Sequence, residues 1–157
     1  MSNEGREMIG VSRLHVGAAF RDHFKPDDLC DTGRLTLDSC MQKGLGQNDE
    51  FDCSGLVISA VCTVAGISTE QWPEKFRHAR QLATLGERIR SSPGDIAIFQ
   101  QEHSPIIHLG ILVARMTVIH ASCSSMSVSE STVLGKFSRI RIIPADKLIA
   151  LGLTEQS

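Results

Sequence analysis

Residues 51–65 read FDCSGLVISAVCTVA, and Gly66 follows them. From position 52 onward this stretch is apolar on almost every side, and a glycine commonly lies just past the end of a helix. A helix that is apolar on most faces is buried, so the stretch predicts the core helix of the fold. Cys53 falls in its first turn, where backbone N–H groups and the helix dipole stabilise a thiolate. The alternative is an inert core thiol, which we expect for Cys62 on the same helix.

Outward from this helix, the sequence changes from helical to extended periodicity at Pro93-Gly94. Two amphipathic helices are predicted, over 6–24 and 70–85, with mainly loop over 27–52. Short runs of β-branched and apolar residues predict strands over 95–99, 108–114, 117–121 and 137–143. Helices followed by strands indicate an α+β fold, in which the helices pack on one face of an antiparallel sheet.

The length of 157 residues, without an internal repeat or a linker, predicts a single domain over 1–157. Within it we expect an N-terminal helix and loop over 1–50 and a motif-bearing core over 51–122. A C-terminal strand and tail are expected over 123–157.

The composition argues against several classes of partner and location. The net charge is −2 and the Lys and Arg residues are scattered, so a nucleic-acid or anionic-membrane partner has no electrostatic footprint. No apolar stretch approaches the roughly 18–20 residues of a membrane span. Charges at Glu4, Arg6 and Glu7 interrupt any Sec signal, so we expect a protein made in the cytoplasm. Five cysteines, an odd number without a CxxC pair, argue against a disulfide framework.

His108 and His120 lie on two predicted strands that are joined by a short turn. A three-residue turn over 114–116 would place Gly110 opposite His120 and both histidines on one face, whereas a two-residue turn would separate them. A nucleophilic thiol needs an imidazole to take its proton and a polar group to orient that imidazole. Taken singly, each histidine is more simply an ordinary core or surface residue. Together with Cys53, the two histidines predict a nucleophilic site.

Four sequence blocks occur in order: FDCSGLV at 51–57, PGDIAIF at 93–99, HLGILV at 108–113 and VIHAS at 118–122. They resemble the motifs of the papain-like NlpC-type cell-wall cysteine peptidases, which are D-C-S-G-L-V, G-D-L-[VA]-x-F, H-[VL]-G-I-Y and I-H-A. The resemblance implies a papain-like NlpC fold and a catalytic set of Cys53 as nucleophile, His108 as general base and acid, and His120 as orienting third member. It implies no metal and no organic cofactor.

The same resemblance implies a substrate. It is an amide bond in peptidoglycan stem peptides, next to D-glutamate, which is hydrolysed through a thioester intermediate. The backbone N–H of Cys53 would serve in the oxyanion hole. Asp52 and Ser54 match positions that help to bind the amino end of the substrate peptide, although Asp52 also suits simple helix capping.

One stretch departs from the family pattern. Where the family has Tyr-x-x-Gly before the cysteine, this chain has Met41-Gln42-Lys43-Gly44, and its 157 residues include no tyrosine. Methionine cannot donate the hydrogen bond that a tyrosine hydroxyl would supply. Either Ser39, Cys40 or Gln42 replaces that donor, or the substrate differs from the usual one.

Three other functions stay open at this point. A papain-like amidase or a delivered toxin would use the same residues on another cell-wall amide, and a binding relic would keep the fold without activity. Zinc binding by Cys53, His108 and His120 is disfavoured, because the chain has no closely spaced C-x₂₋₄-C or H-x₃₋₅-H pair. The site of action is equally open: the cell wall, reached through a phage tail or effector delivery, or cytoplasmic recycling of wall fragments.

Overall fold

The computed structural model describes residues 2–17, 19–20, 46–47, 50–51, 53–101, 107–122, 127–132 and 137–154. Its helices are α1 (Asn3–Leu14), α2 (Cys53–Ala65), α3 (Ala79–Ala83) and α4 (Ala145–Thr154). Two 3-10 turns, Thr69–Gln71 and Glu74–Phe76, precede α3. Its strands are β1 (Ala19–Phe20), β2 (Gly46–Gln47), β3 (Glu50–Phe51), β4 (Ile96–Gln101), β5 (Ile107–Leu112), β6 (Thr117–Ser122), β7 (Ser127–Thr132) and β8 (Phe137–Ile143).

The described strands form one sheet in the order β2-β3-β1-β7-β6-β5-β4-β8. All neighbouring strands in it run antiparallel except β1 and β3, which pair in parallel. The strands β4 to β7 follow one another as a meander, and β8 returns to pair with the outer edge of β4. The predicted α+β fold with an antiparallel sheet is confirmed.

Side-chain alternation along the strands divides the sheet into two faces. On one face, strand residues join α1, α2 and α4 in the main buried cluster; they are Ile96, Ile98, Leu109, Ile111, Ile119, Ala121, Val128 and Ile143. The opposite face carries a smaller cluster of Ala97, Phe99, Leu112, Val118 and Ile142. Helix α2 packs against β5, β6, α1 and α4. It is the core helix that its all-round apolar sequence predicted.

The first helix is shorter than its helical spacing suggested. The prediction over 6–24 is wrong at residues 15–17 and 19–20, because α1 ends at Leu14; residues 18 and 21–24 lie outside the described part. Gly17 adopts a φ of +96°, and its N–H donates to the carbonyl of Val128. The chain then enters β1, which pairs with β7. A long-range β pairing therefore replaces the local helical periodicity.

The single helix predicted over 70–85 is also wrong. Pro73 divides this segment, because a proline disfavours helical backbone in the residue before it, and Trp72 accordingly has a ψ of 137°. The segment forms the two 3-10 turns and α3 instead. Its apolar residues still face inward: Ala79 and Leu82 are fully buried, and Trp72 is 2% exposed.

The C-terminal region holds two elements that the sequence analysis missed. The strand β7 reads SVSEST, whose polar residues weakened the strand signal, and α4 lies where only a tail was expected. Helix α4 buries Leu148 and Ile149 and packs against α2. A Cβ on Gly152 would lie 2.9 Å from the Trp72 ring, so this glycine allows α4 to approach that ring closely.

Candidate active site

Cys53 is the first residue of α2, and its side chain is fully buried. Ser54, next to it in the same turn, is fully buried as well. Helix α2 packs directly against β5 and β6, the strands that carry His108 and His120. In any α-helix the first-turn N–H groups lack partners within the helix, and together with the helix dipole they stabilise negative charge. Cys53 therefore occupies a position that favours a thiolate.

The turn between β5 and β6 has the length that brings the two histidines to one face of the sheet. The ladder pairs Ile111 with Ile119. Counted outward from that pair, residues 114–116 form the turn, and Gly110 stands opposite His120. Of the two alternatives considered, the structure therefore has the three-residue turn, which the cooperation of the two histidines requires.

The strands β5 and β6 separate just beyond Ile111. Among the described residues, their ladder consists of two residue pairs. In contrast, β5 stays paired with β4 as far as Ile107, and β6 stays paired with β7 as far as Ser122. At Gly110, one residue past the last ladder pair, the strands are still close, because a Cβ there would be 2.8 Å from the Cβ of Val118. His108 and His120 lie past the last ladder pair, where β5 and β6 diverge.

The two imidazoles meet at this divergence. Nε2 of His108 lies 2.6 Å from Nδ1 of His120, and the ring centroids are 4.9 Å apart at an interplanar angle of 74°. His108 is fully buried and His120 is 3% exposed. One ring must donate to the other, since two neutral acceptors or two donors would not attract. Because Nε2 of His108 faces His120, Nδ1 is the ring nitrogen of His108 that does not face the second imidazole.

A comparison with protein families agrees with this arrangement. The model of the NlpC/P60 family matches residues 42–145, a span that includes Cys53, His108 and His120. The chain belongs to the NlpC/P60 family. No curated protein matches the chain.

Solved structures share the NlpC/P60 fold with this chain. NlpC2 from Trichomonas vaginalis has a TM-score of 0.63 and 19% sequence identity to this chain. The match covers 92% of this chain and 47% of NlpC2, so this chain spans about half the length of NlpC2. The P60 domain of an M. avium subspecies paratuberculosis antigen has a TM-score of 0.57 and 17% identity, and the match covers 90% of this chain and 94% of that domain. An N-acetylmuramoyl-L-alanine amidase from Bacteroides uniformis has a TM-score of 0.58 and 14% identity, and the match covers 91% of this chain and 99% of the amidase. At these identities the likeness establishes the fold alone.

A third polar residue, not predicted from the sequence, contacts the histidine pair. Ser131 of β7 places its Oγ 2.7 Å from Nε2 of His120, the ring nitrogen that does not face His108. The signal was present but weak: Val128 is buried, while Ser129 and Ser131 alternate with it along the strand. A strand predicted there would have placed Ser131 on the face of the histidines.

The second thiol of α2 differs from Cys53 in its position along the helix. Cys62 is 1% exposed and lies in the aliphatic core. Burial raises the pKa of its thiol to about 11, against a smaller opposite effect of the Arg77 charge. The thiol is therefore protonated near neutral pH, as expected of a core residue rather than a nucleophile.

Several predicted positions lie outside the described residues. They are Asp52 and the stretch 39–44, which includes Met41 and the residues considered as replacements for the family tyrosine. Their roles stay predictions.

Two structural findings concern metals and membranes, and both apply to the described ranges only. Within those ranges, no group of three or more His, Cys, Asp or Glu residues is placed to hold a metal ion. In the same part of the chain, every helix is too short or too polar to cross a membrane.

Proposed function

We propose that the protein is a cysteine peptidase that hydrolyses an amide bond in peptidoglycan stem peptides, next to D-glutamate. Cys53 and His108 are its catalytic residues, and His120 orients His108. The observation that carries the proposal is the contact of 2.6 Å between the two buried imidazoles, on strands against which α2 packs with Cys53 as its first residue. The substrate class follows from the family.

The first half of the reaction transfers the acyl group to sulfur. The Cys53 thiolate attacks the amide carbonyl carbon and forms a C–S bond. The imidazolium of His108 gives its Nδ1 proton to the leaving nitrogen as the C–N bond breaks, and the amine departs. The backbone N–H of Cys53 stabilises the oxyanion, since it points out of the first turn of α2. A thioester remains on the enzyme.

The second half releases the acid. Nδ1 of His108 takes a proton from water as the water oxygen attacks the thioester carbon. The C–S bond breaks, and the thiolate and imidazolium are restored. Throughout both halves, Nε2–H of His108 donates to Nδ1 of His120, which prevents the ring of His108 from turning away from the sulfur.

Two residues beside the nucleophile are proposed to hold the substrate. Asp52 and Ser54 flank Cys53 in the chain. A carboxylate and a hydroxyl suit the free ammonium group at the amino end of a stem peptide, because both accept hydrogen bonds from it.

Product analysis by mass spectrometry tests the proposal. Defined stem peptides and muropeptides are incubated with wild type, Cys53→Ala and Cys62→Ala. The two variants each remove a buried thiol of α2 and leave a methyl side chain, so they match in chemistry and differ only in place. We expect the Cys53 variant to lose turnover and the Cys62 variant to keep it. Undiminished cleavage by Cys53→Ala, or intact substrates with every protein, would contradict the peptidase; the second result would identify a binding relic.

A different cell-wall amide is the second candidate. An N-acetylmuramoyl-L-alanine amidase shares this fold, and the match covers 99% of that chain at a TM-score of 0.58. The same thiolate chemistry would serve an amide that joins sugar to peptide. An amidase would release the whole stem peptide from a muropeptide, whereas a peptidase would split the stem itself. The same mass spectra distinguish these products.

A further inference from the structure

A hydrogen bond extends the histidine pair to a third strand. Oγ of Ser131 on β7 lies 2.7 Å from Nε2 of His120, whose side chain is almost fully buried. The ladder between β6 and β7 places Ser129 directly opposite His120. Nevertheless it is Ser131, two residues along the same face, whose hydroxyl reaches the ring. The three groups form a chain from β7 through β6 to β5.

We propose that Ser131 is a positioning residue that fixes the Nε2–H tautomer of His120; this inference rests on the function proposed above. His108 must offer Nδ1 to the thiol, first as acceptor and then as donor, so its Nε2 keeps a hydrogen throughout the cycle. That N–H requires an acceptor, which Nδ1 of His120 supplies only when its own proton sits on Nε2. The Ser131 oxygen is the acceptor for that proton.

The loss of the hydroxyl would act on His108 through His120. A buried Nε2–H without an acceptor is costly, so His120 would change to the Nδ1–H tautomer. Its Nδ1–H would then face Nε2–H of His108, donor against donor at the present separation of 2.6 Å. His108 would have to turn or change its own tautomer, and either change removes the correct nitrogen from the thiol.

Two variants of equal shape separate the hydroxyl from the packing. Ser131→Thr keeps the hydroxyl and Ser131→Val replaces it by a methyl group, while both new residues suit a strand. Ser129→Ala is the control, because it removes a hydroxyl from the same face of β7. In each protein, the ¹⁵N chemical shifts of the imidazole nitrogens report the tautomer of His120 without turnover. In parallel, kcat/KM is measured on the stem peptide.

We expect wild type, Ser131→Thr and Ser129→Ala to hold His120 as the Nε2–H tautomer. In Ser131→Val, His120 should no longer hold this tautomer, and kcat/KM should fall about tenfold. The proposal is overturned if the valine variant keeps both the tautomer and kcat/KM, or if wild type already holds the Nδ1–H tautomer. A threonine variant as impaired as the valine variant would also overturn it. If wild type cleaves no stem peptide, the function proposed above fails, yet the tautomer measurement still decides the role of Ser131.

Discussion

Nε2 of His108 and Nδ1 of His120 lie 2.6 Å apart, just beyond the last residue pair that joins β5 to β6. A turn one residue shorter would have reversed the face of one of them. Under the mechanism proposed above, only the other nitrogen of His108 remains for the thiol, so the contact would give different tasks to two chemically identical side chains. His108 would transfer protons, and His120 would hold it in place.

Alanine substitutions should therefore affect the two histidines unequally. His108→Ala removes the proton-transfer group, and we expect kcat/KM to fall by about 10²- to 10⁴-fold. His120→Ala removes one hydrogen bond to the imidazolium, and the expected loss is about 10- to 100-fold, because water can partly replace an orienting group. Steady-state kinetics on a stem peptide measure both. Equal losses would show that the assignment of roles is wrong.

The thiols should differ in reactivity as strongly as they differ in position. Cys53 begins a helix, where a thiolate is stabilised, and its alkylation by iodoacetamide should titrate well below the ordinary thiol pKa of about 8.5. Cys62 should react slowly below pH 10, because burial raises its pKa to about 11. Site-resolved mass spectrometry against pH measures the two rates in one sample. Similar slow rates at both positions would favour a binding relic over an enzyme.

Burial of Cys62 also predicts a pH dependence of stability. Burial on folding raises its thiol pKa to about 11, so the neutral form is favoured in the folded state. The resulting stabilisation is fully present below pH 9 and is lost as the pH rises toward 11. Wild type should therefore lose about 2–3 kcal/mol relative to Cys62→Ala over that interval. Urea denaturation of both proteins from pH 7 to 11 measures it, and a constant difference would contradict the burial.

Much of this fold could be predicted from apolar patterning, because burial decides it. The core helix α2 and the strands β4, β5, β6 and β8 are rich in apolar or β-branched residues, and each was found close to its predicted range. Helix α4 was missed although it buries apolar residues in the same way, whereas two other missed elements are held by other means. The strand β7 is largely polar, and β1 depends on a hydrogen bond from Gly17 to a residue far along the chain. A pairing between residues so far apart leaves no local pattern in the sequence.

The site divides in the same way. His108 and His120 could be singled out because each lies in a local motif on a predicted strand, although the sequence left open whether the turn between them has two or three residues. Ser131 could not be predicted, since its part in the site depends on a second hairpin whose strand is polar.

The division of the segment 70–85 could have been predicted from the sequence. Pro73 restricts the backbone of the residue before it, and this restriction outweighs the helical spacing around it.

The contact between α1 and the segment before β4 offers a test of packing away from the site. Gly94 has a φ of +96°, and a Cβ there would overlap the backbone of Gly5 in α1. Gly94→Ala thus combines left-handed backbone with a clash that no side-chain movement relieves, and should cost more than about 2 kcal/mol of unfolding free energy. Gly10→Ala is the control, because Gly10 is exposed inside α1 with nothing within 4 Å of its added Cβ. It should stabilise the protein by about 0.5–1 kcal/mol, and urea denaturation of the two variants should show opposite signs. A Gly94 variant as stable as wild type would mean that α1 does not lie against this segment.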